Sequence, residues 1–95
     1  MLNWDDVLTK APAIVTRESG DELVVVLPEQ GKFVVLNATG ARMLRLTDGI
    51  RTLREIARAI ALEFNADPAQ VESDVLRFAQ SLVERGALTV IKRHG

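Results

Sequence analysis

Leu36-Asn37-Ala38-Thr39-Gly40-Ala41-Arg42-Met43-Leu44-Arg45-Leu46-Thr47-Asp48-Gly49-Ile50-Arg51-Thr52-Leu53-Arg54-Glu55-Ile56 is the stretch on which the fold turns. An apolar strand ends at Leu36, and Asn37 is placed to cap a short helix carrying Ala41, Met43 and Leu44. Asp48-Gly49 then breaks the chain. Thr52, with Glu55 three places on, makes a reciprocal capping box: each side chain accepts from the other residue's backbone N–H. Strand, short helix, turn and capped helix succeed one another with little slack. The chain before Leu36 reads as sheet, and most of the chain after Ile56 reads as helix.

Upstream, Ala13 to Leu36 reads as a three-stranded meander. Ala13–Arg17 leads to the turn cluster Ser19-Gly20-Asp21; Leu23–Leu27 ends at Pro28; Glu29-Gln30-Gly31 turns the chain into Lys32–Leu36. A small antiparallel sheet with one wet face alternates apolar and polar residues. Leu23-Val24-Val25-Val26-Leu27 and Phe33-Val34-Val35-Leu36 do not alternate. Helices on one side therefore cannot account for both faces, and the second face needs the lead-in segment, another copy of the chain, or a partner. In a simple meander the third strand is also an edge, with free backbone groups able to take up a further strand.

Residues 1–12 read as a lead-in in which Val7, Leu8 and Trp4 can dock on the body, ending at Pro12. Trp4, the sole tryptophan, reads first as a terminal anchor covering apolar surface. The first helix is expected over about Ala38–Thr47, with Gly49 as left-handed stop. The second is expected over Leu53–Phe64, burying Leu53, Ile56, Ile60 and Phe64. Asn65-Ala66 ends it. The third opens at Asp67-Pro68 with Gln70 in the reciprocal slot, and closes at Arg85 before Gly86. Leu88–Ile91 reads as a short strand or extended tail, and Lys92-Arg93-His94-Gly95 as frayed.

Along the third helix, Val71, Val75, Phe78 and Leu82 form one stripe. Leu76 and Val83 sit off it as an apolar shoulder, with Ala79 between and Gln80 beyond. Two readings fit the shoulder: packing on the first two helices, or one wall of a groove completed by Lys32–Leu36.

Composition narrows the class. Ninety-five residues make one domain, spanning 1–95 as lead-in, meander (13–36), three helices (37–86) and a short end (87–95). The chain is 47% apolar and 26% charged, as in an ordinary soluble globule. Zero cysteines exclude disulfides and thiolate zinc sites, and fit a reducing compartment. The start lacks the basic and apolar regions of a signal peptide, no run approaches a membrane span, and the expected setting is the cytoplasm. A net charge of -1 argues against a dedicated nucleic-acid binder.

No catalytic constellation can be assembled. His94 is the lone histidine and sits one residue from the end; the serines have no histidine partner within the fold; the glycines form no phosphate loop. No enzyme activity, cofactor or metal is expected. Arg42, Arg45, Arg51, Arg54 and Arg58 fall together across the first two helices. They read either as a solvated face or as a docking patch whose guanidinium forks grip carboxylates of a partner.

Leu36-Asn37, the small residues Ala38, Thr39 and Ala41, the pair Leu44/Leu46, Asp48-Gly49, Arg51-Thr52 and Glu55-Ile56 resemble, in order and spacing, the signature of the PqqD family. That family comprises coenzyme PQQ synthesis protein D and related RiPP recognition elements. The likeness runs from about Ala13 to Leu88. It implies an α+β, winged-helix-like domain, a three-stranded antiparallel sheet followed by a three-helix bundle. It implies a peptide chaperone that binds the leader of a ribosomally made precursor and presents it to a modifying enzyme, often a radical SAM protein. Carried onto this chain, the peptide adds as a strand beside Lys32, Phe33, Val34, Val35 and Leu36, and its side chains meet Leu76, Ala79, Gln80 and Val83. Two other readings stand beside it: a winged-helix DNA-binding regulator, which the acidic third helix disfavours, and a homodimer whose sheets or edges cover each other.

Overall fold

The computed structural model describes residues 2–91. Five strands and three helices run in the order β1 (Val7–Lys10), β2 (Val15–Ser19), β3 (Glu22–Leu27), β4 (Lys32–Leu36), α1 (Ala38–Leu46), α2 (Leu53–Phe64), α3 (Pro68–Glu84) and β5 (Leu88–Ile91). The strands form two antiparallel sheets, β2-β3-β4 and β1-β5. A single 3-10 turn, Pro28–Gln30, joins β3 to β4 and closes on Gly31, whose φ of 64° is left-handed.

The helix boundaries obey local chemistry. Asn37 Oδ1 accepts from the Gly40 N–H at 2.9 Å and opens α1. The Thr52–Glu55 capping box is formed in both directions and opens α2. Asn65, at φ 48°, ends α2 in the left-handed region. Asp67 caps α3 through the Ala69 N–H with Pro68 in the first turn. Gln70 does not complete a capping box; its amide donates instead to Asp74 Oδ1 at 3.1 Å. Helix α1 stops at Leu46, one residue before the sequence places its end, because Thr47 is extended and turns its hydroxyl back to the Met43 carbonyl.

The core is one contiguous cluster. Leu23, Val25, Leu27 and Leu36 from the sheet meet Ala41, Met43 and Leu44 of α1, Leu53, Ile56 and Ile60 of α2, and Val71, Val75, Ala79 and Leu82 of α3. Two expectations fail at its margin. Phe64 is 41% exposed at the last position of α2. Phe78 is half-buried and packs against the cluster from its edge.

The lead-in docks, as its apolar residues suggest, but as a strand. Val7 and Leu8 are buried in β1, which pairs with β5 in the register Val7↔Ile91 to Lys10↔Leu88. The other side of this segment stitches to the start of α2. The carbonyls of Trp4, Asp6 and Leu8 accept from the N–H groups of Arg54, Leu53 and Gly49 at 3.0, 3.0 and 3.1 Å. With β1 and β5 committed to each other, neither lies against β4.

Candidate functional site

Register fixes which side chains share a face, because residues directly opposed in an antiparallel pair point the same way. Leu23↔Leu36, Val25↔Val34 and Leu27↔Lys32 lie on the inner face, over α1. Val24↔Val35 and Val26↔Phe33 lie on the outer face, continued on β2 by Arg17 and Val15. The second apolar face expected from the sequence is therefore real. The lead-in does not cover it: Phe33 is 66% and Val35 46% exposed.

Strand β4 stands at the end of its sheet and, among the described residues, pairs only with β3. Helix α3 is tied near the two ends of this strand by two contacts. At the Leu36 end, the Phe78 ring fits against Gly40, where a side chain's Cβ would lie 3.2 Å from Phe78 Cδ2 and 3.1 Å from Leu36 Cβ. At the Lys32 end, Gln30 Nε2 donates to the Arg85 carbonyl at 2.6 Å. Phe78, Ser81 and Arg85 are spaced i, i+3 and i+7, so they lie on one side of the helix, the side that carries these two contacts. The Arg77 guanidinium stands 5.2 Å from the Phe78 ring centroid and pairs with Asp74 at 3.2 Å.

The helical residues named from sequence stand apart from these two contacts. Ala79 is fully buried in the core cluster and offers no surface. Gln80 and Val83 line a hollow of about 270 Å³ with Leu2, Asp6, Glu84 and Val90, on the far side of the core stripe from Phe78. Leu76, two turns before Val83, shares that side. The strand half, Lys32 to Leu36, is placed as expected, with Leu36 buried and Phe33 and Val35 outward.

The arginine cluster is largely closed by the chain's own carboxylates. Arg42 makes a two-point pair with Glu63 at 2.7 and 2.8 Å, tying α1 to α2. This hydrogen bond raises the Arg42 pKa and lowers that of Glu63. Arg45 pairs with Glu18, Arg51 with Asp48 at 2.6 Å, and Arg54 with Asp5 at 3.5 Å. Arg58 remains exposed. Four of the five guanidinium groups thus already face a carboxylate of the chain. Among the described residues no group of three or more His, Cys, Asp or Glu could hold a metal ion, and no helix is long and apolar enough to cross a membrane. His94 and its neighbours from Lys92 to Gly95 lie outside the described residues.

An open strand edge beside a three-helix bundle makes a small α+β module, and such an edge is a geometry to which an extended chain can be added. Comparison with known proteins gives the lineage. The family model described as coenzyme PQQ synthesis protein D (PqqD) matches residues 22–88. The chain belongs to the PqqD family. It is 35% identical over 68 residues, 72% of each chain, to a protein named PqqA binding protein from Xanthomonas euvesicatoria pv. vesicatoria (strain 85-10). To the protein of that name from Rhodopseudomonas palustris (strain HaA2) it is 31% identical over 72 residues, covering 76% of this chain and 69% of the other. Among solved structures it is similar to the PqqD truncation of Methylobacterium extorquens PqqCD, described as a stand-alone RiPP recognition element. The TM-score there is 0.76 and the identity 25%, covering 94% of this chain and 95% of that one. It is also similar to TbiB1 in complex with the TbiA(beta) leader peptide, at TM-score 0.73 and 27% identity, covering 90% of this chain and 99% of that one.

Proposed function

We propose that this chain binds an extended segment of a ribosomally made precursor peptide as an added strand along β4 and presents it to a modifying enzyme, acting by binding and not by catalysis. The observation that carries this reading is β4 itself, an edge strand with apolar side chains on both faces, bracketed by Phe78 at one end and Arg85 at the other. Its relatives are named for binding PqqA, and one similar structure holds a leader peptide.

The energetics suit a reversible carrier. Each strand hydrogen bond contributes about 0.5–1.5 kcal/mol net, and each apolar side chain buried by the peptide about 1.5–3 kcal/mol. These gains are offset by the cost of ordering the peptide, leaving nanomolar to micromolar affinity. Backbone pairing reads no sequence, so in this reading selectivity rests with side chains beside the strand, among them Phe78 and Ser81 of α3 and Arg85 just past its end. Calorimetric titration with leader peptides encoded by short reading frames beside its gene tests this. Saturable one-to-one binding is expected; absence of heat with every such leader overturns it.

A further inference from the structure

We propose that the outer face of the sheet is a second reading surface for the bound strand, taking its outward side chains as apolar, β-branched or aromatic residues beside Phe33 and Val35. This inference rests on strand addition along β4. A strand paired with β4 must send alternate side chains to opposite faces. Half of them turn inward, and the other half fall in the two outer rows Val15-Val26-Phe33 and Arg17-Val24-Val35, each extended by one position.

Directly opposed side chains on one face stand about 4.5–5.5 Å apart at Cβ, so those two positions touch Phe33 and Val35. Both are exposed while Val24 and Val26, one strand further in, are half-buried. The uncovered apolar surface is therefore greatest where the next strand would lie. The opposite edge is built differently. Strand β2 has a single apolar residue, Val15, 47% exposed, followed by Thr16, Arg17, Glu18 and Ser19, polar and charged residues that discourage an edge from pairing. Of the two edges of this sheet, β4 alone is apolar on both sides, and a client that is apolar on one side only would leave Phe33 in water.

A second copy of the chain is a poorer occupant. The outer face is three strands wide and about five residues long, roughly 15 by 17 Å or about 250 Å² at the usual strand dimensions, well short of the roughly 800 Å² per partner of a stable pair. The client segment is thus a short run with apolar residues at both parities, and its outward pair is read by Phe33 and Val35.

The test selects binders from a display library of random short peptides on the wild-type protein. The binders are then titrated against wild type and Phe33→Thr/Val35→Thr, threonine keeping strand propensity. Peptides carrying N-methyl groups at successive amides report pairing separately. Losses with a period of two in the N-methyl series, with affinity about tenfold or more weaker on the double variant, are expected. A periodic N-methyl series with unchanged affinity on the double variant overturns the outer-face reading and leaves strand addition standing. An N-methyl series without period two, or no binder recovered, removes both. If sedimentation shows the wild type dimeric and the double variant monomeric with equal peptide affinity, the face belongs to a second copy and the inference falls.

Discussion

The Phe78 ring rests on the bare Cα of Gly40: a Cβ there would meet Cδ2 at 3.2 Å and Cε2 at 3.3 Å, with Leu36 Cβ at 3.1 Å behind it. The glycine is needed for space, since it lies within α1 and is absent from the left-handed glycines of the chain. Gly40→Ala gains about 1 kcal/mol of helix propensity but overpacks this contact at a cost of about 1–3 kcal/mol. A net loss of up to about 2 kcal/mol in urea unfolding is expected. Adding Phe78→Leu should restore part of it. If Gly40→Ala alone is stabilising, the ring is not seated on the glycine.

Strand addition predicts a one-residue asymmetry along β4. Of Val34 and Val35, one directs its N–H to β3 and the other away from the sheet. Proline at the outward position removes only a donor meant for the client. One of Val34→Pro and Val35→Pro should therefore keep native circular dichroism and lose peptide binding by about tenfold or more, a net hydrogen bond plus local distortion. Two folded variants that both bind normally would refute pairing at this edge.

The two shoulders of α3 make opposite predictions. Ser81→Arg places a long side chain on the side of α3 that is tied to the ends of β4. It should weaken peptide binding about tenfold or more by filling the cleft, with stability changed by no more than about 0.5 kcal/mol. Val83→Ser lies on the other shoulder, with Leu2 and Val90. It should lower stability and leave the affinity of the folded protein unchanged. The reverse outcome would return the cleft to Leu76, Gln80 and Val83.

The contrast between those shoulders shows what sequence can carry. Caps and stops are local, so Asn37, Thr52 with Glu55, Asp67-Pro68 and Asn65 mark their helix ends from neighbours alone. Parity along a strand is local too, and it exposes the second apolar face of β3 and β4 before any partner is known. Strand β1 escapes such reading because it is four residues long and its partner β5 lies at the other end of the chain. The shoulder escapes it for a different reason. Leu76/Val83 and Phe78 flank the same core stripe, and which one faces the sheet depends on how α3 is laid across the body. That is set by Gly40 and by the Gln30 bond to Arg85, two long-range contacts with no periodic signal. The carboxylates that pair with the arginine cluster, Glu63, Glu18 and Asp5, escape such reading too, since they are distant in sequence.

The capping box at Thr52 gives a stability prediction independent of any client. Its hydroxyl accepts from the Glu55 N–H at 3.1 Å, and Glu55 Oε1 accepts from the Thr52 N–H at 2.9 Å. The same residue bridges to Val7 of β1, so the cap also anchors the lead-in. Thr52→Ala should cost about 1 kcal/mol, and Thr52→Ser should recover most of it. Equal stability of the alanine variant in urea would mean that the cap contributes little here.

Asp48 ties acid sensitivity to the turn between α1 and α2. Its Oδ1 accepts from the Ile50 and Arg51 N–H groups at 2.9 Å each, and its Oδ2 pairs with the Arg51 guanidinium. The Arg51 N–H above all, then that of Ile50, holds the carboxyl below its usual range. A carboxylate with a depressed folded pKa adds stability above its unfolded value, about 3.9 for aspartate, and loses it as the pH falls through the folded value. Asp48→Asn should therefore be less stable than wild type at neutral pH, and the gap should narrow as the pH is lowered from about 4. Paired urea titrations across that range check the sign. A gap that widens in acid would show that the carboxylate is not favoured by the fold.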